Sequence, residues 1–441
     1  MAGSTRVLSR RQALQRLAWG ATALAVPAVR AQAPVRPNVV LIVADDLGSR
    51  DVGCFGADDL KTPHLDDLAR RGVRLTSFYA PAPLCTASRA GLMTGRHFQR
   101  CLVPGKGIAP DETTIAETFR AGGYRTGFFG KWHLGGFDDW DPLSQGFDEF
   151  LGHLVGAIDN YSHYNYWGGA PRHALWKKRQ PYREDGVFFP DILARECGQF
   201  VERNRSRPFF LCASFNMPHY PLQPEKRFVD ENLSLSSANR RAYAATVQSM
   251  DDKIGQILDA VDQASLTEKT IVIFLSDHGH SEEEAAGSGG GWSGPHRGHK
   301  GTLWEGGIRV PCIASWPARF PAGKIRQQIS SGLDWFPTLC QLCGIQAGTV
   351  DGKNLTGVLI DDAPSPHQAL HWMLGSYWAV RQGRWKLSAT PEGVHLSDLF
   401  EDSGEQRNVA KVYPDQLRRM RESHSQWLTE GIKPIYNVSY Q

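Results

Sequence analysis

The sequence predicts a large, doubly wound α/β domain with a mostly parallel sheet, followed by a smaller C-terminal α+β domain. Three observations carry this. Residues 38–44, 123–129, 208–215 and 270–276 are almost continuously apolar, as strands buried on both faces of a parallel sheet must be. Helix-forming stretches separate them, at 63–71, 114–121, 190–204 and 239–264, and strand–helix alternation over some 300 residues is the signature of one wound sheet. After Gly344 the pattern changes to short alternating segments.

Each element has a local reason. Thr114 with Glu117 forms a capping-box pattern at the start of its helix. Residues 371–373, 377–381, 385–388 and 395–399 read as short antiparallel strands, and 413–429 as a terminal helix. The predicted organisation is therefore a catalytic domain over 34–366 and an α+β domain over 367–441, with 361–366 as linker. The glycine-rich run 287–291 is predicted as a flexible loop.

Residues 1–31 read as a targeting segment. They hold five arginines and no acidic residue. Ser9-Arg10-Arg11-Gln12-Ala13-Leu14 resembles a twin-arginine export signal, the apolar stretch 17–29 follows, and Val29-Arg30-Ala31 offers a cleavage site. The expected partner is the twin-arginine machinery, and the expected location is periplasmic or secreted. Removing the segment leaves 44 basic against 46 acidic residues, net −2, which gives no support for nucleic-acid binding. No later stretch has the length and apolarity of a membrane span.

The eight cysteines are too scattered for a disulfide framework, although export would allow one or two bridges. Cys340 and Cys343 have zinc or redox spacing, but they fall in an apolar helix with no second ligand pair, so they read as core thiols.

Chemistry gathers at the ends of the four main strands. Residues 38–44 lead to Asp45-Asp46, residues 123–129 to Gly130-Lys131-Trp132-His133, residues 208–215 to Asn216-Met217-Pro218-His219, and residues 270–276 to Asp277-His278-Gly279. Sites in open parallel sheets form beyond the carboxyl ends of strands, so these groups should converge. Asp45, Asp46 and Asp277 in one pocket call for a compensating cation, and oxygen donors point to Ca²⁺ or Mg²⁺. His278 is either a further ligand or a group that orients one. Cys85 precedes a predicted helix start, where the helix dipole favours anions, and Arg89 lies one turn further on the same face.

These residues carry a resemblance. Cys85-Thr86-Ala87-Ser88-Arg89, followed by Gly91-Leu92-Met93-Thr94-Gly95-Arg96, resembles the first signature of type I sulfatases of the arylsulfatase kind, in the alkaline phosphatase superfamily. Residues 123–135 resemble the second signature. The segments 44–48, 276–279, 300–311 and 396–402 also match, and the resemblance runs from about Pro37 to Ala410. Many relatives carry proline where this chain has Ala87.

The resemblance implies that a formylglycine-generating enzyme converts Cys85 to formylglycine, whose hydrate attacks sulfur and later expels sulfate. It implies Asp45, Asp46, residue 85, Asp277 and His278 as ligands of Ca²⁺ (or Mg²⁺). Arg89 would hold the hydrate, His133 would act as base in the elimination, Lys131 and Lys300 would neutralise sulfate oxygens, and His219 would protonate the leaving group. His280, His296 and His299 match no core position and read as solvated loop residues.

Residues 154–176 are rich in Tyr, Trp and His, suited either to stacking on a sugar or aryl group or to packing the domain rim. Asp159-Asn160-Tyr161-Ser162-His163 resembles a segment of galactosamine-type sulfatases, which favours a sulfated sugar over an aryl sulfate. The competing readings are a phosphonate or phosphate monoester hydrolase, and a catalytically silent sulfoglycan-binding protein.

Overall fold

The computed structural model describes residues 36–167, 169–283 and 289–432. The predicted export signal and its cleavage site lie outside the described residues, as does part of the 287–291 run.

A ten-stranded mixed sheet forms the centre. Its order is Gln180–Pro181, Leu175–Lys177, Glu149–His153, Arg125–Lys131, Phe209–Pro218, Asn38–Asp45, Thr270–Ser276, Cys312–Ser315, Val73–Leu75 and Lys324–Arg326. The middle is parallel, with Val39 opposite both Phe210 and Ile271. Strand Arg125–Lys131 extends this parallel block, and Glu149–His153 extends it again. Antiparallel pairing enters at the flanks, through Cys312–Ser315 on one side and Leu175–Lys177 on the other. Several flanking strands have only two to four residues, too few to show a period in sequence.

The central strand shows why its sequence is apolar throughout. Val39, Leu41 and Val43 join the core on one face, and Val40, Ile42 and Ala44 the core on the other. Burying each of these Val, Leu or Ile side chains stabilises the fold by about 1.5–3 kcal/mol. Helices Cys85–Thr94, Ile115–Ala121 and Trp335–Cys343 cover the first face, and Pro63–Arg70, Phe189–Asn204 and Ala238–Gln263 the second. The Thr114–Glu117 capping box is complete, with reciprocal bonds of 2.8 and 3.1 Å. Cys340 and Cys343 are buried in the first core, and burial pushes both thiols up to about 12.

The C-terminal segment folds as a four-stranded antiparallel sheet, Leu370–Leu374, Tyr377–Gln382, Trp385–Thr390 and Gly393–Asp398, with helix Pro414–Leu428. Trp372 and Ala379 pack with Tyr79 and Ile308, and Trp372 Nε1 donates to Ala80 O at 2.9 Å. A buried ion cluster joins the same parts: Lys386 Nζ lies 3.1 Å from Glu305 Oε1 and 3.2 Å from Glu405 Oε1. Among the described residues, no helix is long and apolar enough to cross a membrane.

Candidate active site

The carboxyl ends of the parallel strands meet as their order requires. Strand Asn38–Asp45 lies between Phe209–Pro218 and Thr270–Ser276, so Asp45, Asp46, His219, Asp277 and His278 come together from three adjacent strands. Asp45 stands opposite Pro218 after a register shift that follows Val43. Asp46 adopts φ +63° and His133 φ +55°, conformations that turn the chain sharply where it leaves a strand. Gly130 has φ +119°, and a Cβ there would sit 1.8 Å from Ser214 O, so only glycine lets these strands approach ahead of Lys131.

Cys85 occupies the first turn of helix Cys85–Thr94 and is buried. Its sulfur lies 3.1 Å from His278 Nε2, 3.6 Å from Asp45 Oδ1 and 3.7 Å from Lys131 Nζ. Lys131 Nζ also donates to Asp45 Oδ2 at 2.6 Å. One turn along the helix, the Arg89 guanidinium is fixed on four sides. It meets Asp277 Oδ2 at 2.9 Å, Asp45 Oδ1 at 3.3 Å, Ser214 Oγ at 2.7 Å and Lys131 O at 3.1 Å. Lys300 Nζ pairs with Asp46 Oδ2 at 3.2 Å and with Glu283 Oε2 at 3.0 Å. His219 Nε2 is 3.7 Å from Asp46 Oδ2, and its Nδ1 lies 2.7 Å from Tyr220 O.

Charge sets the protonation states. Burial opposes ionisation of Asp45, yet Lys131, His219 and Arg89 hold its carboxyl well below the usual range. Asp46 is likewise lowered, against burial, by Lys300, His219 and His278. Asp277 is raised, because burial outweighs His278 and Arg89. Burial would lower His278, but Asp277 and Cys85 push it up to about 10. Burial, with Lys131 and Arg89, holds His133 well below the ordinary imidazole value, and its buried Nδ1 has no hydrogen-bond partner. His219 is lowered chiefly by burial.

The donor set fits a divalent ion. Ligand atoms of Asp45, Cys85, Asp277 and His278 lie within 4.8 Å of one another, and so do those of Asp46, Cys85 and His219. Asp46 Oδ1 is buried with no hydrogen-bond partner, an unmet acceptor that a cation would satisfy. Every predicted site residue except His133 is tied into this cluster by a contact given above. His133 instead borders it from a cavity of about 780 Å³, which is also lined by Thr86, Lys106, Trp167, Arg172 and Trp176.

Two expectations need correction. His280 and His296 are buried, not solvated, because the segment after Gly289 folds back over the strand ends. His280 Nδ1 meets Ser293 Oγ at 3.0 Å, and His296 Nδ1 meets Ser49 Oγ at 3.1 Å. His299 is half-buried. Ser88, Ser214 and Glu283 brace the site without having been legible as site residues. Ser88 donates to Asp277 O, and Ser214 donates to Lys131 O at 2.7 Å. Position within the Cys85 motif is a signal that marks Ser88, whereas Ser214 sits unremarked inside an apolar strand.

A family model described as Sulfatase matches residues 37–345. Steryl-sulfatase of Mus musculus is 33% identical, over 86% of this chain and 74% of its own length. Arylsulfatase A of Homo sapiens is 34% identical, over 83% of this chain and 77% of its own length. Among solved structures, Ps i-CgsB in complex with k-i-k-neocarrahexaose superposes with a TM-score of 0.84 at 29% identity, covering 91% of this chain and 94% of that one. With those matches spanning both the wound sheet and the residues gathered at its edge, the chain belongs to the sulfatase family of the alkaline phosphatase superfamily and is a sulfuric ester hydrolase.

Proposed function

We propose that the chain hydrolyses the sulfate ester of a sugar, with residue 85 acting as formylglycine beside a divalent ion, Ca²⁺ in preference to Mg²⁺. The observation that carries this is the setting of Cys85. Its sulfur is enclosed by His278, Asp45 and Lys131, with Arg89 locked one turn away. A cation held by Asp45, Asp46, Asp277, His278 and residue 85 would supply Lewis acidity and neutralise charge at the reacting oxygens. Oxidised to the aldehyde and hydrated, residue 85 would supply one hydroxyl for attack on sulfur and a second for expulsion of sulfate.

The remaining residues do the positioning and proton work. Arg89 is pre-oriented by Asp277, Asp45 and Ser214, so it holds residue 85 without reorganising. Lys131 pairs with Asp45 and Lys300 with Asp46, which places both to offset charge growing on sulfate oxygens. His133 is neutral with an unpartnered nitrogen, which suits a base in the elimination. His219 has its Nδ1 hydrogen occupied by the Tyr220 carbonyl, so a proton taken up on Nε2 is the one available to the leaving oxygen.

A sugar substrate is supported by the cavity beside Thr86 and His133. Trp167 and Trp176 offer ring faces there, and Lys106 and Arg172 offer positive charge. The similar Ps i-CgsB chain holds a neocarrahexaose. Residues 34–366 are read as the catalytic domain and 367–441 as its appendage, which has a small core of its own around Val380, Leu387, Leu396 and Met420. Residues 1–31 are read as a twin-arginine signal that delivers the enzyme to the periplasm or beyond.

The test is mass spectrometry of the peptide over residues 80–89 from protein made with a formylglycine-generating enzyme. Formylglycine at residue 85 is expected, and unmodified cysteine in active protein would sink the mechanism. Comparing sulfate with phosphonate esters of one leaving group separates this reading from the phosphonate hydrolase alternative.

A further inference from the structure

A second cluster of ligating side chains, His163, His173 and Asp185, adjoins the cavity through His173. Strands Tyr164–Asn165 and Arg172–His173 pair as a small hairpin, with Tyr164 opposite His173. His163 immediately precedes it, fully buried, its backbone held by bonds from His163 N to Asp159 O and from Ala174 N to His163 O.

The tautomer of His163 follows from its partners. Its Nε2 lies 3.0 Å from Val187 O, and a carbonyl only accepts, so Nε2 carries the hydrogen. Nδ1 therefore presents a lone pair, yet it is buried without a hydrogen-bond partner. His173 Nε2 is also buried and unpartnered, on a side chain only 7% exposed. Both nitrogens face Asp185 Oδ1, at 4.0 and 3.5 Å, and the three atoms lie within 4.8 Å of one another. The other carboxylate oxygen, Oδ2, is 3.7 Å from Arg183 Nη1, which leaves Oδ1 turned towards the histidines.

The geometry points to a zinc-class divalent metal site formed by His163 Nδ1, His173 Nε2 and Asp185 Oδ1. Two imidazoles and one carboxylate select zinc over the hard cations that prefer all-oxygen sites. Ligands on tetrahedral zinc stand about 3.3–3.5 Å apart; His173 Nε2 and Asp185 Oδ1 already stand at 3.5 Å, and the other pairs lie within 4.8 Å. The Val187 carbonyl fixes the ligating tautomer, as partners of metal-bound histidines do. The fourth position opens to solvent beside Asp185 and takes water. Bound metal would tie the hairpin, whose Arg172 and His173 line the cavity, to the strand-free segment around Asp185. This site shares no residue with the Cys85 cluster and holds whether or not residue 85 is modified.

Zinc content and melting temperature of the full chain and of Asp185→Asn, both equilibrated with Zn²⁺ in Ca²⁺-containing buffer, test it. Subtraction removes zinc held at the Cys85 cluster or at other thiols. The expected result is one zinc ion per chain fewer in Asp185→Asn. The wild type should also show a Tm rise of about 3 °C at a hundredfold excess over Kd, which the variant loses. His173→Gln should behave like Asp185→Asn. Equal zinc content in wild type and both variants would overturn the site, as would a Tm response that survives both substitutions.

Discussion

Lys131 and Asp45 meet at 2.6 Å with neither side chain exposed to solvent. Lys131 is the nearest counter-charge of Asp45, with Arg89 at 3.3 Å the next, so removing Lys131 leaves a buried carboxylate only partly compensated. Lys131→Ala is expected to lower stability by about 3–5 kcal/mol and kcat at least about a hundredfold. Lys131→Met combined with Asp45→Asn should recover most of the stability and none of the activity. Urea titration and kcat on a sulfate ester check both; recovery of turnover in the double variant would remove Lys131 from the reaction.

Chelation is expected to abolish turnover, since Asp45, Asp46 and Asp277 crowd three carboxylates into one pocket and Asp46 Oδ1 has no partner. Ca²⁺ should restore activity, with Mg²⁺ less effective, because Ca²⁺ accepts an irregular oxygen-rich shell more readily. Full turnover in metal-free protein would contradict the cation assignment.

The reasons for these expectations were unevenly visible in the sequence. The wound sheet was legible because its central strands are buried on both faces and leave continuous apolar runs. Convergence of Asp45, Lys131, His219 and Asp277 followed from their places just beyond four such runs. The brace around Arg89 was not legible. Ser214 is one small polar residue inside an apolar strand, and only the register of Phe209–Pro218 against Arg125–Lys131 brings it to the guanidinium. Positive φ at Asp46 and His133 was equally silent, because neither residue type demands it. Burial of His280 and His296 was not legible either, because a loop folding back buries them and leaves no periodicity.

Export is predicted to depend on Arg10 and Arg11. The Arg10→Lys, Arg11→Lys double variant should stay in the cytoplasm while retaining modified Cys85, since modification would precede transport of the folded chain. Immunoblots of cell fractions, with the same peptide measurement, check this. Normal export of the double variant would exclude the twin-arginine route.

Acid sensitivity is expected from the C-terminal histidines. His424 stacks on Trp378 at 4.3 Å with neither ring nitrogen hydrogen-bonded, and burial lowers it to about 4. His371 stacks on Trp427 at 5.2 Å and is lowered to about 3, by burial and then by His424 and His97. Unfolded, these imidazoles take up protons near pH 6.5, so between there and about pH 4 the unfolded chain binds more protons than the folded one. Stability is fully present above pH 6.5 and falls as pH drops through that window. His424→Phe keeps the stack and removes one titration, so its Tm advantage over the wild type should grow from pH 7 to pH 5. Parallel Tm curves across that range would refute the assignment.

Gly156 reports on His133. A Cβ at residue 156 would lie 3.1 Å from His133 Cε1 and 3.2 Å from Nε2, close enough that the ring must give by a few tenths of an ångström. His133 lines the cavity with its Nδ1 unbonded, so no hydrogen bond of that nitrogen resists the shift. Gly156→Ala should therefore cost little stability, leaving Tm within about 2 °C of the wild type. Catalysis depends more steeply on placement, so kcat should fall about tenfold, with KM changed less. The same substitution in a His133→Ala background should have almost no effect on kcat, because the displaced ring is gone. An equal loss in both backgrounds would show that residue 156 acts through the cavity wall and not through His133.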